Sequence, residues 1–151
     1  MKLASKIAKV ALLTVGVAAG ALGSLAQDDI HESVSRPAST FVFGPTGVKT
    51  DIGELKAAGA YGDLSKGMHG TFIRMPAHFV SALHTHTEDY FGIVIQGIGV
   101  NTQPGKADVE LPVGSYWLQK GQEKHITKCV SDTECLFFIY QPGKFDYLLA
   151  N

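Results

Sequence analysis

The chain has 151 residues, enough for one domain with its own core and too few for two comfortable ones. A formal net charge of -1, with charged residues at 18%, supplies no basic surface of the kind that holds a phosphate backbone. Nucleic acid is therefore excluded as an expected partner.

The chain opens with charge followed by an apolar run. Lys2, Lys6 and Lys9 precede Val10 to Leu22, and the run ends at Gly23-Ser24-Leu25-Ala26, where Ser24 and Ala26 are small enough for a signal-peptidase site. Residues 1–26 read as a signal peptide, with the mature chain starting near Gln27. The apolar run is short for a bilayer and is diluted by Gly16, Gly20 and Gly23, so no membrane span is expected in the mature form. The expected location is outside the cytoplasm, periplasmic or secreted. Removing the three leader lysines leaves 10 basic against 14 acidic residues, a mature charge near -4, and a small molecule is the expected partner.

Residues 27–60 read as an N-terminal arm with edge strands. Gln27 to Thr40 is polar and irregular, while Phe41 to Phe43 and Glu54 to Ala58 have strand character. Residues 61–151 read as an all-β barrel, because short β-branched and aromatic runs alternate with turn residues and no helical period appears. The expected strands are Gly70 to Met75, Phe79 to Leu83, Tyr90 to Gln96, Ile98 to Thr102, Ala107 to Leu111, Ser115 to Leu118, His125 to Val130 and Cys135 to Tyr140. Turns fall at Gly97, Pro104-Gly105, Pro112-Val113-Gly114, Lys120-Gly121 and Pro142-Gly143, where glycine permits positive φ and proline presets a corner.

Cys129 and Cys135 flank the polar segment from Val130 to Glu134. In an exported chain they can bridge a hairpin, and two separately buried thiols are the alternative.

His84-Thr85-His86 carries the strongest chemical signal. An extended chain alternates its side chains, so the two imidazoles share one face. The pair alone is also explained by ordinary surface or hydrogen-bonded histidines. His125 follows a glycine corner at the start of another expected strand, where a barrel can bring it to the same interior point. His78 and His69 read as surface or turn residues, and His31 falls in the arm. Phe72, Phe79, Phe91, Trp117, Phe137 and Phe138 read as core or pocket wall. Arg74 and Lys124 read as solvated cations, with recognition of an anionic substrate as the alternative.

From about Gly62 to Tyr147 the sequence resembles the cupin superfamily. His84, His86 and Gly97 match its first motif, and Pro112-Val113-Gly114, Gly121 and His125 match its second. More narrowly, Tyr61-Gly62-Asp63, the segment Tyr90 to Gly97, Leu111 to Tyr116, the two cysteines and Gly143-Lys144-Phe145-Asp146-Tyr147 resemble exported cupins grouped as DUF4437. The resemblance implies a conical jelly-roll barrel with His84, His86 and His125 pointing inward around one divalent transition metal, and it implies pairing into a homodimer. The donor set suits Zn, Fe, Mn, Cu or Ni without choosing among them.

Two departures stand out. Tyr90 occupies the position of the motif's usual Glu, and in the narrower group this Tyr looks normal. Glu88 shares a face with His84, His86 and Tyr90 if the strand is regular, which makes it a candidate stand-in ligand. Gln119 replaces a common Pro, and His125 comes one residue late, a shift that a one-residue bulge would absorb. Tyr90 and Glu88 are the candidate acid-base residues. Three functions remain open: a small-molecule metalloenzyme of dioxygenase, isomerase or lyase type, a non-catalytic metal- or ligand-binding or sensing module, and a metal-free barrel.

Overall fold

The computed structural model describes residues 33–151. The expected leader and cleavage site, the start of the arm and His31 lie outside the described residues. After a short 3-10 turn at Ala38–Thr40, the described chain is built from strands. In chain order these are β1 (Gly44–Thr50), β2 (Gly53–Gly62), β3 (His69–Met75), β4 (His84–Thr85), β5 (Tyr90–Gln96), β6 (Gly99–Thr102), β7 (Tyr116–Gln119), β8 (Ile126–Cys129), β9 (Cys135–Gln141) and β10 (Leu148–Leu149).

An antiparallel six-stranded sheet runs in the order β1-β2-β3-β9-β5-β7. Opposite it lie the pairs β10-β4 and β6-β8, connected by isolated bridges at His84–His125 and Val80–Lys128 and extended by one at Gly99–Leu111. This is a jelly-roll barrel of the cupin type, as expected. Alternation explains which side chains fill it. Thr71, Met75, Phe137, Tyr90, Val94 and Trp117 are buried, whereas their neighbours Arg74, Phe91, Ile93, Tyr116 and Leu118 are exposed. Phe79, with no exposed surface, seals the core beside Met75, Phe137 and Cys129.

Several elements differ from expectation. Strand β2 extends well past Ala58 and runs through the boundary placed at residue 60 between arm and barrel. The edge strand expected at Phe41 to Phe43 begins instead at Gly44, and Phe41 and Phe72 pack edge to face with centroids 4.7 Å apart. Phe79 to Leu83 and Ala107 to Leu111 form no regular strands. Only Val80 and Leu111 make bridges there, although Phe79, Ser81 and Leu83 also form single backbone hydrogen bonds to Cys129, Thr127 and Ala150. Phe91 belongs to neither core nor pocket wall and is 43% exposed on the outer face.

Cys129 and Cys135 are joined by a disulfide, with Cα atoms 5.8 Å apart, closing the turn from β8 to β9. Gly97, at φ 79°, abuts Cys135 and has no room for a Cβ. The turn glycines Gly105 and Gly114 also take positive φ, as their turns require.

Candidate metal centre

His84 and His125 face each other across an antiparallel bridge. Each backbone N–H donates to the other's carbonyl, at 3.1 Å from His84 and 3.0 Å from His125. His86 follows two residues along on the same face, and the Gln122 N–H donates to its carbonyl at 2.7 Å. All three rings are buried, and their candidate ligand nitrogens lie within 4.8 Å of one another.

The other nitrogen of each ring is already occupied. His84 Nδ1 bonds the Ala82 carbonyl at 2.8 Å, His125 Nδ1 bonds the Glu123 carbonyl at 3.0 Å, and His86 Nδ1 bonds the Asp146 carbonyl. A carbonyl only accepts, so each Nδ1 carries the proton and each Nε2 is left unprotonated with a lone pair, which in His125 accepts from the Tyr90 hydroxyl. Carbonyl partners of this kind fix the tautomer and orientation of metal-binding imidazoles. The residues present therefore fit a transition metal held by three neutral imidazoles. Burial lowers all three, His84 to about 3 with His125 adding to the drop, and His125 to about 4. The rings thus stay neutral at physiological pH.

Tyr90 reaches the same point from β5. Its hydroxyl lies 3.3 Å from His125 Nε2 and 3.5 Å from Asn101 Oδ1, and burial pushes its pKa up to about 12. Trp117 Nε1 lies beside this hydroxyl without completing a hydrogen bond. The Trp117 ring is seated against Gly92, where even a Cβ would come within 2.1 Å of the indole.

Glu88 does not join the cluster. Strand β4 stops at Thr85, and the Thr87 N–H and hydroxyl both bond the Asp146 carboxylate. The chain bends there, so the alternation that would have turned Glu88 inward is broken, and Glu88 is exposed against Gly143. Nor does a bulge absorb the late arrival of His125. Strands β6 and β8 pair without a register shift, and the extra residue is taken up between Lys120 and Lys124, where Gln122 adopts φ 66°.

The sequence reading missed the C-terminal cover of the site. Strand β10 pairs with β4, Tyr147 stacks on His84 with centroids 4.1 Å apart, and Phe145 stands 5.6 Å from His86. These residues lie in the segment that carried the narrower resemblance. His69 was read as a surface or turn residue but is buried, bonding Thr71 Oγ1 through Nδ1 at 2.8 Å. His78 is an exposed turn residue 3.2 Å from Asp132, as expected. Arg74 lies outside the barrel, over the Phe43 ring and 3.5 Å from Glu134, and Lys124 is exposed.

His84 and His86 open on a cavity of about 310 Å³ bounded by Trp117, Tyr90, Phe137 and Tyr147 and by the inward residues of β1, β2, β3 and β9. Among the described residues, no Asp, Glu, Lys or Arg lines it.

The family model described as "Domain of unknown function (DUF4437)" matches residues 53–150. The chain belongs to this family. Comparison with curated proteins finds no match. Similar solved structures include the DMSP lyase DddQ from Ruegeria pomeroyi, at TM-score 0.60 and 13% identity, covering 74% of this chain and 62% of the lyase. A predicted oxalate decarboxylase from Thermotoga maritima has TM-score 0.60 and 19% identity, covering 73% and 99% of the two chains. The polyketide cyclase RemF from Streptomyces resistomycificus has TM-score 0.64 and 13% identity, covering 80% and 87%. An RmlC-like cupin protein from Ralstonia eutropha matches at TM-score 0.59 and 15% identity, over 74% and 69%. At these identities the likeness is one of fold, and the DUF4437 chain has the cupin fold.

Proposed function

We propose that this DUF4437 protein is an exported metal-binding cupin that processes a small molecule, with chemistry of dioxygenase, isomerase or lyase type. The observation that carries this reading is the shared arrangement of the three buried histidines, each with Nδ1 held by a backbone carbonyl and with candidate ligand nitrogens within 4.8 Å of one another. Three protein ligands leave coordination positions open, the mark of a reactive rather than a structural site. A divalent transition metal, whether Zn, Fe, Mn, Cu or Ni, would supply Lewis acidity or redox chemistry there. The chain itself supplies orientation through the carbonyls, exclusion of water by Tyr147 and Phe145, and a proton held on Tyr90 Oη within reach of the site. Tyr90 acts as hydrogen-bond donor or general acid and not as a base, because burial opposes its ionisation. The enzymatic activities named for the structural neighbours support small-molecule chemistry on this fold.

A non-catalytic binding or sensing module is the second reading. It is favoured by Glu88 lying outside the cavity and by a lining without a carboxylate to serve as base. The basic-then-apolar leader and the disulfide support export. The apolar outer face at Phe91, Ile93, Ile95, Tyr116 and Leu118 supports pairing of two copies, and light scattering that returned a monomer mass would reject it.

The test begins with elemental analysis of the purified protein beside His84→Ala and His125→Ala. One metal per chain, lost in both variants, is expected, and absence of metal after reconstitution would overturn the reading. Dioxygen uptake and a panel of small oxygenated compounds then separate enzyme from binder. Turnover that disappears in the metal-free protein supports catalysis, and saturable binding without turnover supports the module.

A further inference from the structure

The cavity beyond the histidines has a chemistry of its own. Leu55, Ala57, Ile73, Met75, Phe137 and Ile139 supply its apolar wall. An ionic group placed among them would lose its hydration and gain no counter-charge. Yet the lining is not wholly apolar, because three buried nitrogens on it make no well-formed hydrogen bond: Trp117 Nε1, which lies next to the Tyr90 hydroxyl, and His69 Nε2 and Gln141 Nε2, which lie near each other.

The indole and amide nitrogens are donors, and the indole N–H has no other capacity. Buried donors without partners are costly and rare, and a ligand that brings acceptors is one way to satisfy them. Trp117 Nε1 sits at the histidine end, beside the Tyr90 hydroxyl, so an acceptor there would also be next to the metal site. Size narrows the class further. A dry cavity of about 150 Å³ admits benzene, so about 310 Å³ suits a body of two fused rings.

We propose that the cavity binds an uncharged, largely apolar molecule of two-ring size, with a hydroxyl or carbonyl oxygen at the histidine end accepting from Trp117 Nε1 and no ionic group on the remainder. This deepens the functional reading above and rests on it for the role of the histidine end, while the preference for an uncharged body rests on the lining alone.

Trp117 is the chain's single tryptophan, so its indole N–H gives one resonance in a proton–nitrogen correlation spectrum and reports directly from the cavity. The probes are 2-naphthol and 6-hydroxynaphthalene-2-sulfonate, which share ring and hydroxyl and differ by one anionic group that ligates metals poorly. Both are titrated into zinc-reconstituted and metal-free protein, with zinc content measured on the same samples. Saturable displacement of the indole resonance by 2-naphthol is expected, with the sulfonate weaker by about tenfold or more in both forms. Equal or tighter binding of the sulfonate, or no displacement by 2-naphthol, would overturn the proposal. Naphthol binding in a protein that takes up no zinc would uphold the cavity and reject the metal site. Zinc uptake without naphthol binding would do the reverse.

Discussion

The Tyr90 hydroxyl stands 3.3 Å from His125 Nε2, the nitrogen that His125 would use as a ligand. Tyrosine at the place of the motif's glutamate therefore changes what the site offers, since glutamate is ionised at neutral pH and this phenol is held protonated. Tyr90→Phe removes a donor and leaves the three imidazoles. The variant is expected to retain one metal per chain by elemental analysis, while turnover, once an activity is found, falls by about 10²- to 10⁴-fold. Loss of the metal would make Tyr90 a ligand and refute its assignment as donor.

Gln119 has no exposed surface and joins two parts of the site. Its Oε1 accepts from Asn101 Nδ2 at 2.8 Å, and its Nε2 donates to the carbonyls of Lys120 at 3.0 Å and Glu123 at 3.2 Å. The Glu123 carbonyl also fixes His125, so Gln119 is a positioning residue for that ring. Gln119→Leu leaves the Asn101 amide and the Lys120 and Glu123 carbonyls without this partner, at a cost of about 1–3 kcal/mol. Metal affinity should fall by about 10- to 100-fold. Chemical denaturation reads the first effect and chelator competition the second, with Gln119→Glu as the variant that preserves the acceptor alone. Unchanged metal affinity in Gln119→Leu would dismiss the positioning role.

What the sequence disclosed and what it hid divide along physical lines. His84 and His86 were legible because alternation is a local property, and it held across the short strand β4. The same rule failed two residues later at Glu88, where the Asp146 carboxylate captures Thr87 across 59 positions of sequence. Likewise, the buried state of His69 depends on strand β9, whose Gln141 lies opposite it in register. Phe79 to Leu83 has the composition of a strand, but its Phe79 is drawn into the core and only Val80 finds a bridge. Fold class and ligand spacing are carried by period and turn residues, whereas the cavity is made by contacts between distant segments.

Gly92 and Trp117 face each other in register on β5 and β7, and the indole occupies the space a side chain at residue 92 would need. Gly92→Ala must push the indole into the cavity or distort the sheet, with an expected loss of about 1–3 kcal/mol. Trp117 fluorescence should shift and 2-naphthol binding should weaken, while metal content stays at the wild-type level. A variant with wild-type stability and an unchanged emission spectrum would contradict this packing account.

Acid stability of the metal-free protein tests the buried histidines. His69, His84, His86 and His125 all have pKa values lowered by burial, to about 3 for His84 and about 4 for His125, whereas in the unfolded chain each titrates near about 6.5. Between these limits the unfolded state binds more protons, so stability falls as pH drops through 6.5 and continues falling towards the folded values. Each histidine fully inside that window contributes about 1.4 kcal/mol per pH unit. Above pH 7 the effect is absent, because the rings are neutral in both states. The urea midpoint of metal-free protein should therefore be flat from pH 8 to 7 and decline steeply from pH 6.5 to about 5, above the range in which most carboxylates titrate. Saturating metal binds only the neutral rings of the folded state and should raise the midpoint at pH 7, an advantage that shrinks as protons compete for the ligands. A midpoint that did not change between pH 7 and about 5 would mean that the histidines are not buried as neutral groups.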